Sequence, residues 1–178
     1  MPIGAAATVV DRREVPEVER LFREHHELVY RTAYSILKNA ADAEDVLQTV
    51  FLRLVRREAT PQLRGNVKGY FYRAAVNLSL DVVRSKRRYE LVADGERFDV
   101  PVDSSESRHA ERLHRRLTDA LTKLNAETVH LLLLRYAHGY TDKQIAELLG
   151  ATRGAVAVRL LRARARLRTL IEGMGADV

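Results

Sequence analysis

Between Thr141 and Arg168 the segment TDKQIAELLGATRGAVAVRLLRARARLR leaves the backbone few choices. Thr141 and Gln144 have the spacing of a capping box, in which each residue satisfies the other's free amide. Ile145, Leu148 and Leu149 form the apolar face of a short helix. Gly150 stands where a tight turn requires a residue free of Cβ clashes. Thr152 suits the N-cap of a second helix. In that helix Val156, Leu160, Ala163 and Leu167 recur at i, i+4, i+7 and i+11 as a single core stripe. Ala146, Gly150 and Val156 have the spacing of a helix-turn-helix: a small residue where two helices cross, a turn glycine and an apolar anchor. The plainer alternative is a helical hairpin with a solvated basic face. Cap, turn, anchor and charge together favour the helix-turn-helix.

The remaining segments also read as helices. The first spans roughly Glu17 to Leu37, with Leu21, Leu28, Ala33 and Ile36 near one stripe and a break at Asn39 to Ala41. Asp42 is the expected N-cap of a second helix, which carries Val46, Leu47, Val50, Phe51, Leu54 and Val55 at helical spacing. Pro61 and Gly65 mark a loop, and a third helix is expected from about Asn66 to Arg88, burying some of Phe71, Ala74, Ala75, Leu78 and Val82. Four more are expected at about Arg108 to Leu124, Ala126 to Ala137, Thr141 to Leu149 and Thr152 to Ile171. No segment alternates with period two for long enough to be a strand. The expected fold class is all-α: two small helical domains joined by an acidic flexible linker, the C-terminal one a helix-turn-helix. The expected boundaries are a flexible N-terminus at 1–16, a first domain at 17–88, the linker at 89–110, a second domain at 111–173 and a tail at 174–178.

Charge divides the chain in the same way. Residues 1–88 carry net +5, residues 89–110 net −4 and residues 111–178 net +5. The basic excess is mostly arginine, 25 against 5 lysines, and guanidinium forks suit phosphates and guanine edges. Between Ala151 and Ile171 there are six arginines and no acid. If the second helix of the motif lies in a DNA major groove, its N-terminal part meets the base edges. The absence of cysteine excludes disulfides and thiolate metal sites. The histidines show no metal-ligand spacing, and the two in EHHE at 24–27 fall on different helix faces. No P-loop, nucleophile elbow or phosphate cradle is present. No enzymatic activity, metal or cofactor is therefore expected. The four-leucine run at 131–134 is far shorter than the ~20 apolar residues that span a bilayer. The start MPIGAAATVV lacks a charged n-region and does not read as a signal peptide, so no membrane insertion and a cytoplasmic location are expected.

The helix-turn-helix segment resembles the C-terminal domain of bacterial RNA polymerase sigma factors of the extracytoplasmic-function (ECF) group. LFREHHELVYRTAYSILKNAADAEDVLQTVFLRL resembles the first two helices of the same family, and GYFYRAAVNLSLDVVRSKRR its promoter-melting helix. The resemblance covers about Val18 to Leu170 in the right order. It implies an alternative sigma factor that binds core RNA polymerase, recognises promoter minus-ten and minus-thirty-five elements and directs transcription initiation. Asp42, Asp45, Gln48 and Phe51 would dock on the clamp helices of the β′ subunit, and the β flap is a further polymerase contact that the resemblance implies. Where the family usually carries an acid after that glutamine, this chain has Thr49. At the minus-ten element Lys68, Tyr70, Tyr72, Arg73, Asn77, Arg84, Arg87 and Arg88 would act, the tyrosines by stacking on unpaired bases and the arginines on phosphates. Tyr70, Phe71 and Tyr72 are adjacent and cannot share one helix face, so some of them belong to the core; Phe71 is expected inside. At the minus-thirty-five element the resemblance places Arg135, Thr152, Arg153, Ala157, Val158, Leu161 and Arg162. Ala157 and Val158 replace polar residues frequent in the family and leave apolar contact with thymine methyls. An anti-sigma factor is a further partner that the resemblance allows.

A stand-alone helix-turn-helix regulator with an N-terminal dimerisation bundle is the alternative. The YFYRAAVN stretch and the basic residues after it argue against that reading, because a dimerisation bundle requires neither.

Overall fold

The computed structural model describes residues 15–56, 66–92 and 105–174; residues 1–14, most of the expected N-terminal segment, and 93–104, the centre of the expected linker, lie outside them. The described residues form seven helices and no strand: α1 (Val15–Leu37), α2 (Ala40–Val55), α3 (Val67–Val92), α4 (Ser105–Thr122), α5 (Ala126–Tyr136), α6 (Asp142–Leu149) and α7 (Arg153–Gly173). The all-α expectation holds. α3 runs four residues past Arg88, and α4 starts at Ser105, so both ends of the segment read as linker are helical.

Local chemistry sets the helix ends. α1 stops at Lys38, which takes a left-handed φ of 51°. The cap of α2 corrects the expectation that Asp42 is the N-cap. Asn39 fills that position, its side chain accepting the Asp42 amide at 3.0 Å. Asn39 caps as well as an aspartate, and starting there admits the two good helix formers Ala40 and Ala41. Asp42 is then free to pair with Lys86 of α3. Asn66 accepts the Gly69 amide at 2.7 Å and starts α3. In the C-terminal motif both arms of the Thr141–Gln144 capping box form, Gly150 adopts φ 67°, and Thr152 caps α7 by accepting the Ala155 amide at 3.2 Å.

α1, α2 and α3 pack around Leu21, Val29, Ala33, Val46, Val50, Phe51, Leu54, Phe71 and Ala75. α5, α6 and α7 pack around Val129, Leu132, Leu134, Ile145, Leu148, Val156, Leu160 and Ala163. The second core does not close on itself. It continues into the first domain through Ile36 of α1 and Tyr72, Val76 and Leu80 of α3, all fully buried. α3 thus carries two apolar stripes. Phe71, Ala75, Leu78 and Val82 face α1 and α2, while Tyr72, Val76 and Val83, one position on, face the second domain. One residue along a helix turns the side chain by about 100°, so neighbouring residues serve different cores.

The two glycines of the motif provide a stability test. Gly150→Ala forces a Cβ into the left-handed region and should destabilise by roughly 1–2 kcal/mol. Gly154 lies in α7 with open space around its Cα, and Gly154→Ala should stabilise by about 0.5–1 kcal/mol. Urea denaturation of both variants measures this; a shift of the same sign in both would refute the assignment of the turn.

Candidate nucleic-acid interface

α7 presents one continuous outward face. Val156, Leu160 and Ala163 turn inward, which leaves Thr152, Arg153, Ala157, Val158, Leu161 and Arg162 exposed together at the N-terminal half of the helix. Val158 and Leu161 are 48% and 63% exposed, high for aliphatic side chains that nothing covers. Among the described residues Arg159 is the one arginine of α7 held in an ion pair, to Glu127 of α5. The free guanidinium groups and the exposed methyl groups therefore share a surface that suits phosphates and thymine edges. Arg135 lies at the end of α5, donating to the Tyr140 carbonyl at 3.1 Å and 3.6 Å from Asp142, which fixes its head beside the start of α6.

α3 is arranged differently. Asn77, Arg84 and Arg88 are exposed, and Arg73 is half-buried. Arg84 pairs with Asp81 one turn away at 3.0 Å. Arg87 pairs at 3.2 Å with Asp119 of α4, in the other domain. Lys68 lies 5.4 Å from the ring centroid of Tyr140, also in the other domain. Phe71 is inside as expected, stacked on Phe51 at 5.0 Å and close to His25 at 4.8 Å. Tyr70 is largely buried at the edge of the same core, and burial raises its hydroxyl pKa. Tyr72 has no exposed surface: its hydroxyl donates to the His130 carbonyl of α5 at 2.8 Å. All three rings of this aromatic run are thus covered in this arrangement, Tyr72 by the second domain.

On α2, Asp45 and Gln48 point outward, and Asp42 is partly covered by its Lys86 partner. Phe51 is buried between Phe22, at 4.9 Å, and Phe71. It shapes the surface from beneath. Among the described residues no group of three His, Asp or Glu side chains is placed to hold a metal ion, and no helix is long and apolar enough to cross a membrane.

The residue reading did not anticipate a polar seam between the domains. The Thr32 hydroxyl donates to the Leu28 carbonyl at 2.6 Å and lies 3.1 Å from His138 Nε2, so the histidine must donate that proton to Thr32. Asn66, while capping α3, also donates its amide to the Leu148 carbonyl at the end of α6. The sequence carries one signal of it: the four leucines at 131–134 point to every side of a helix, which demands cover on every side.

Comparison with known proteins agrees with this geometry. The Sigma-70 region 2 family model matches residues 21–89, and the Sigma-70, region 4 model matches residues 114–167. The ECF RNA polymerase sigma factor SigE of Mycolicibacterium smegmatis is 34% identical over 173 residues, covering 94% of this chain and 67% of that protein. The ECF RNA polymerase sigma factor SigL of Mycobacterium tuberculosis is 30% identical over 177 residues, covering 97% and 96%. Among solved structures, CnrH in complex with the cytosolic domain of CnrY superposes with a TM-score of 0.51 at 20% identity, over 89% of this chain and 90% of that one, a likeness of fold.

The seam makes stability depend on pH. His130 is buried with Nε2 unpartnered, and its pKa falls from 6.5 to about 4, first through burial and then through the nearby Arg73 charge, against a smaller opposing pull from Glu127. Burial likewise lowers the pKa of His138, with Arg31 and Lys68 adding to the effect. Each histidine binds its proton more readily in the unfolded chain. Stability should therefore fall as pH drops below about 6.5, with the His130 contribution levelling off near 4. Denaturation midpoints between pH 7.5 and 4 measure this slope. His130→Gln should flatten it, and an unchanged slope in that variant would remove His130 from the account.

Proposed function

This chain belongs to the sigma-70 family of RNA polymerase sigma factors, in its extracytoplasmic-function group, and we propose from that premise how its residues divide the work. It is an alternative sigma factor that directs transcription initiation. Sigma factors are non-catalytic DNA-recognition subunits, and the bond-forming chemistry of transcription resides in core polymerase. The working units are a polymerase-docking and promoter-melting domain over about 17–88 and an upstream-element domain over about 111–173. The site of action is the cytoplasm. No observation favours a stand-alone regulator.

The observation that carries the assignment of roles is the exposed face of α7, which offers Arg153 and Arg162 beside Ala157, Val158 and Leu161 with no acid among them. On this reading Arg153 forks to a base edge of the minus-thirty-five element, Thr152 and Arg162 hold phosphates, and the apolar centre meets thymine methyls. Asn77, Arg84 and Arg88 of α3 engage the minus-ten strand, with Tyr70 and Tyr72 stacking on unpaired bases once exposed. Asp45 and Gln48, outward on α2, meet the β′ clamp helices, and the second domain meets the β flap. An anti-sigma factor competing for these surfaces is the natural partner for regulation.

Two measurements test this division. Asp45→Arg should weaken association with core polymerase by about tenfold or more, a cost of ~1.4 kcal/mol, with helicity unchanged. Equal affinity of variant and parent would misplace the docking face. Arg153→Ala should lose about 1–3 kcal/mol of discrimination at one upstream base pair, and pre-opening the minus-ten region of the template should not rescue it. Asn77→Ala should bind upstream DNA normally, open the duplex slowly by permanganate reactivity, and be rescued on the pre-opened template. The reverse pattern of rescue would exchange the roles of the two domains.

A further inference from the structure

α7 is apolar on two opposite sides. Val156, Leu160, Ala163 and Leu167 face the second core. Gly154, Val158, Leu161 and Ala165 repeat the same spacing two residues earlier, and two residues turn a helix by about 200°. This outer stripe is exposed along its whole length. Arginines line both of its edges: Arg153, Arg164 and Arg168 on one side, Arg159, Arg162 and Arg166 on the other. We propose that the outer stripe reads the 5-methyl group of pyrimidines in the upstream element, accepts 5-methylcytosine in place of thymine, and so makes promoter use respond to cytosine methylation. The proposal rests on the sigma-factor reading, in which this helix lies on upstream DNA.

Charge and shape identify the occupant of the stripe as a DNA groove. No acid occurs between Ala151 and Ile171, so two basic edges flank an uncharged centre. The major groove is about 12 Å wide with a phosphate wall on each side, and a helix with its side chains measures about 10–12 Å across. Seated there, α7 sets its arginines against the walls and its apolar stripe against the floor. Bulk increases along the stripe from Gly154 through Val158 to Leu161. Open space surrounds Gly154, so no side chain holds the first turn away from the base edges, the end by which such helices read. The stripe residues carry no side-chain donor or acceptor. They cannot distinguish the amino group of cytosine from the carbonyl oxygen of thymine by hydrogen bonding. After base pairing each of those groups keeps one unused hydrogen-bonding site. Covering it with apolar side chains therefore costs a similar amount for either base. What remains to be read is the methyl group. It projects into the groove from thymine and 5-methylcytosine alike, and cytosine and uracil lack it.

The test uses core polymerase reconstituted with the full chain, and a promoter selected by transcription from a library randomised at minus thirty-five. Each upstream thymine of that promoter is replaced in turn by uracil, cytosine or 5-methylcytosine, the cytosines paired with guanine. At one thymine or more, uracil should lower affinity about fourfold, the contribution of one buried methyl group. Cytosine should behave as uracil does, and 5-methylcytosine should return to within about twofold of thymine. Val158→Ser with Leu161→Ser should bring all four duplexes to about equal affinity, with helicity unchanged. Arg162→Ala should instead weaken all four alike and reduce the salt dependence. 5-Methylcytosine that binds no better than cytosine overturns the inference. So does a selected element without thymine, or one in which uracil replaces every thymine without loss, the outcome expected of a stripe that serves a protein partner. If Arg153→Ala still impairs upstream discrimination in those cases, the sigma-factor reading stands and methyl reading alone falls. Failure to select any promoter, or discrimination untouched by Arg153→Ala and by the serine pair, removes α7 from the upstream element and overturns both.

Discussion

The structure depends on the double burial of α3. Phe71 and Tyr72 are neighbours in sequence, and their rings enter different cores about 100° apart around the helix. Phe71 joins Phe51 and His25 in the first domain. Tyr72 enters the second, flanked edge-on by His130 and His138 at 5.7 Å each. A buried aromatic ring contributes a large apolar area, and a buried hydroxyl requires a partner. The His130 carbonyl supplies that partner, so the second domain completes the environment of a side chain that belongs to the first.

This arrangement accounts for the character of the functional surfaces. The α7 face proposed to read DNA stays free of internal partners because the core occupies one side of the helix: Val156, Leu160 and Ala163 are buried, and Leu167 and Leu170 pack beside them. Five of its six arginines are left to solvent among the described residues, with Arg159 tied to Glu127. The charges of α3 are more committed. Lys86 pairs with Asp42, Arg84 with Asp81 and Arg87 with Asp119. Surface ion pairs of this kind contribute little stability, about 0–1 kcal/mol, so phosphates can displace the acids without a large penalty. The same residues can therefore serve packing in the free chain and nucleic acid in a complex.

Four of the six histidines pack against aromatic side chains. His25 lies against Phe71, His26 stacks on Phe22, and His130 and His138 line the seam. Their lowered pKa values, where they occur, follow mainly from burial and then from nearby cations such as Lys68 and Arg73. A neutral imidazole packs as a small aromatic.

Local chemistry made much of the molecule legible. The capping box at Thr141, the left-handed Gly150, the Thr152 cap and the Val156–Leu160–Ala163 stripe depend on residues within a few positions of one another, so spacing alone determined them. The outward direction of Arg153, Ala157, Val158 and Leu161 followed from that stripe by helix geometry. α2 is capped by Asn39 and not by Asp42: both residue types cap well, and starting at Asn39 adds Ala40 and Ala41 to the helix and leaves Asp42 to pair with Lys86. The fate of Tyr70 and Tyr72 stayed open for a related reason: periodicity shows that adjacent residues diverge, but not what each will meet. The four-leucine run at 131–134 did call for cover on all sides, yet nothing in it named α3 as that cover. By itself, then, the sequence determined the helices, the caps of the C-terminal motif, the helix-turn-helix and the outward face of its second helix, because these arise from interactions between near neighbours. Only the tertiary structure decided that the two domains share a core and that Tyr72 is held within it, because that contact joins residues 58 apart whose meeting depends on how whole helices pack.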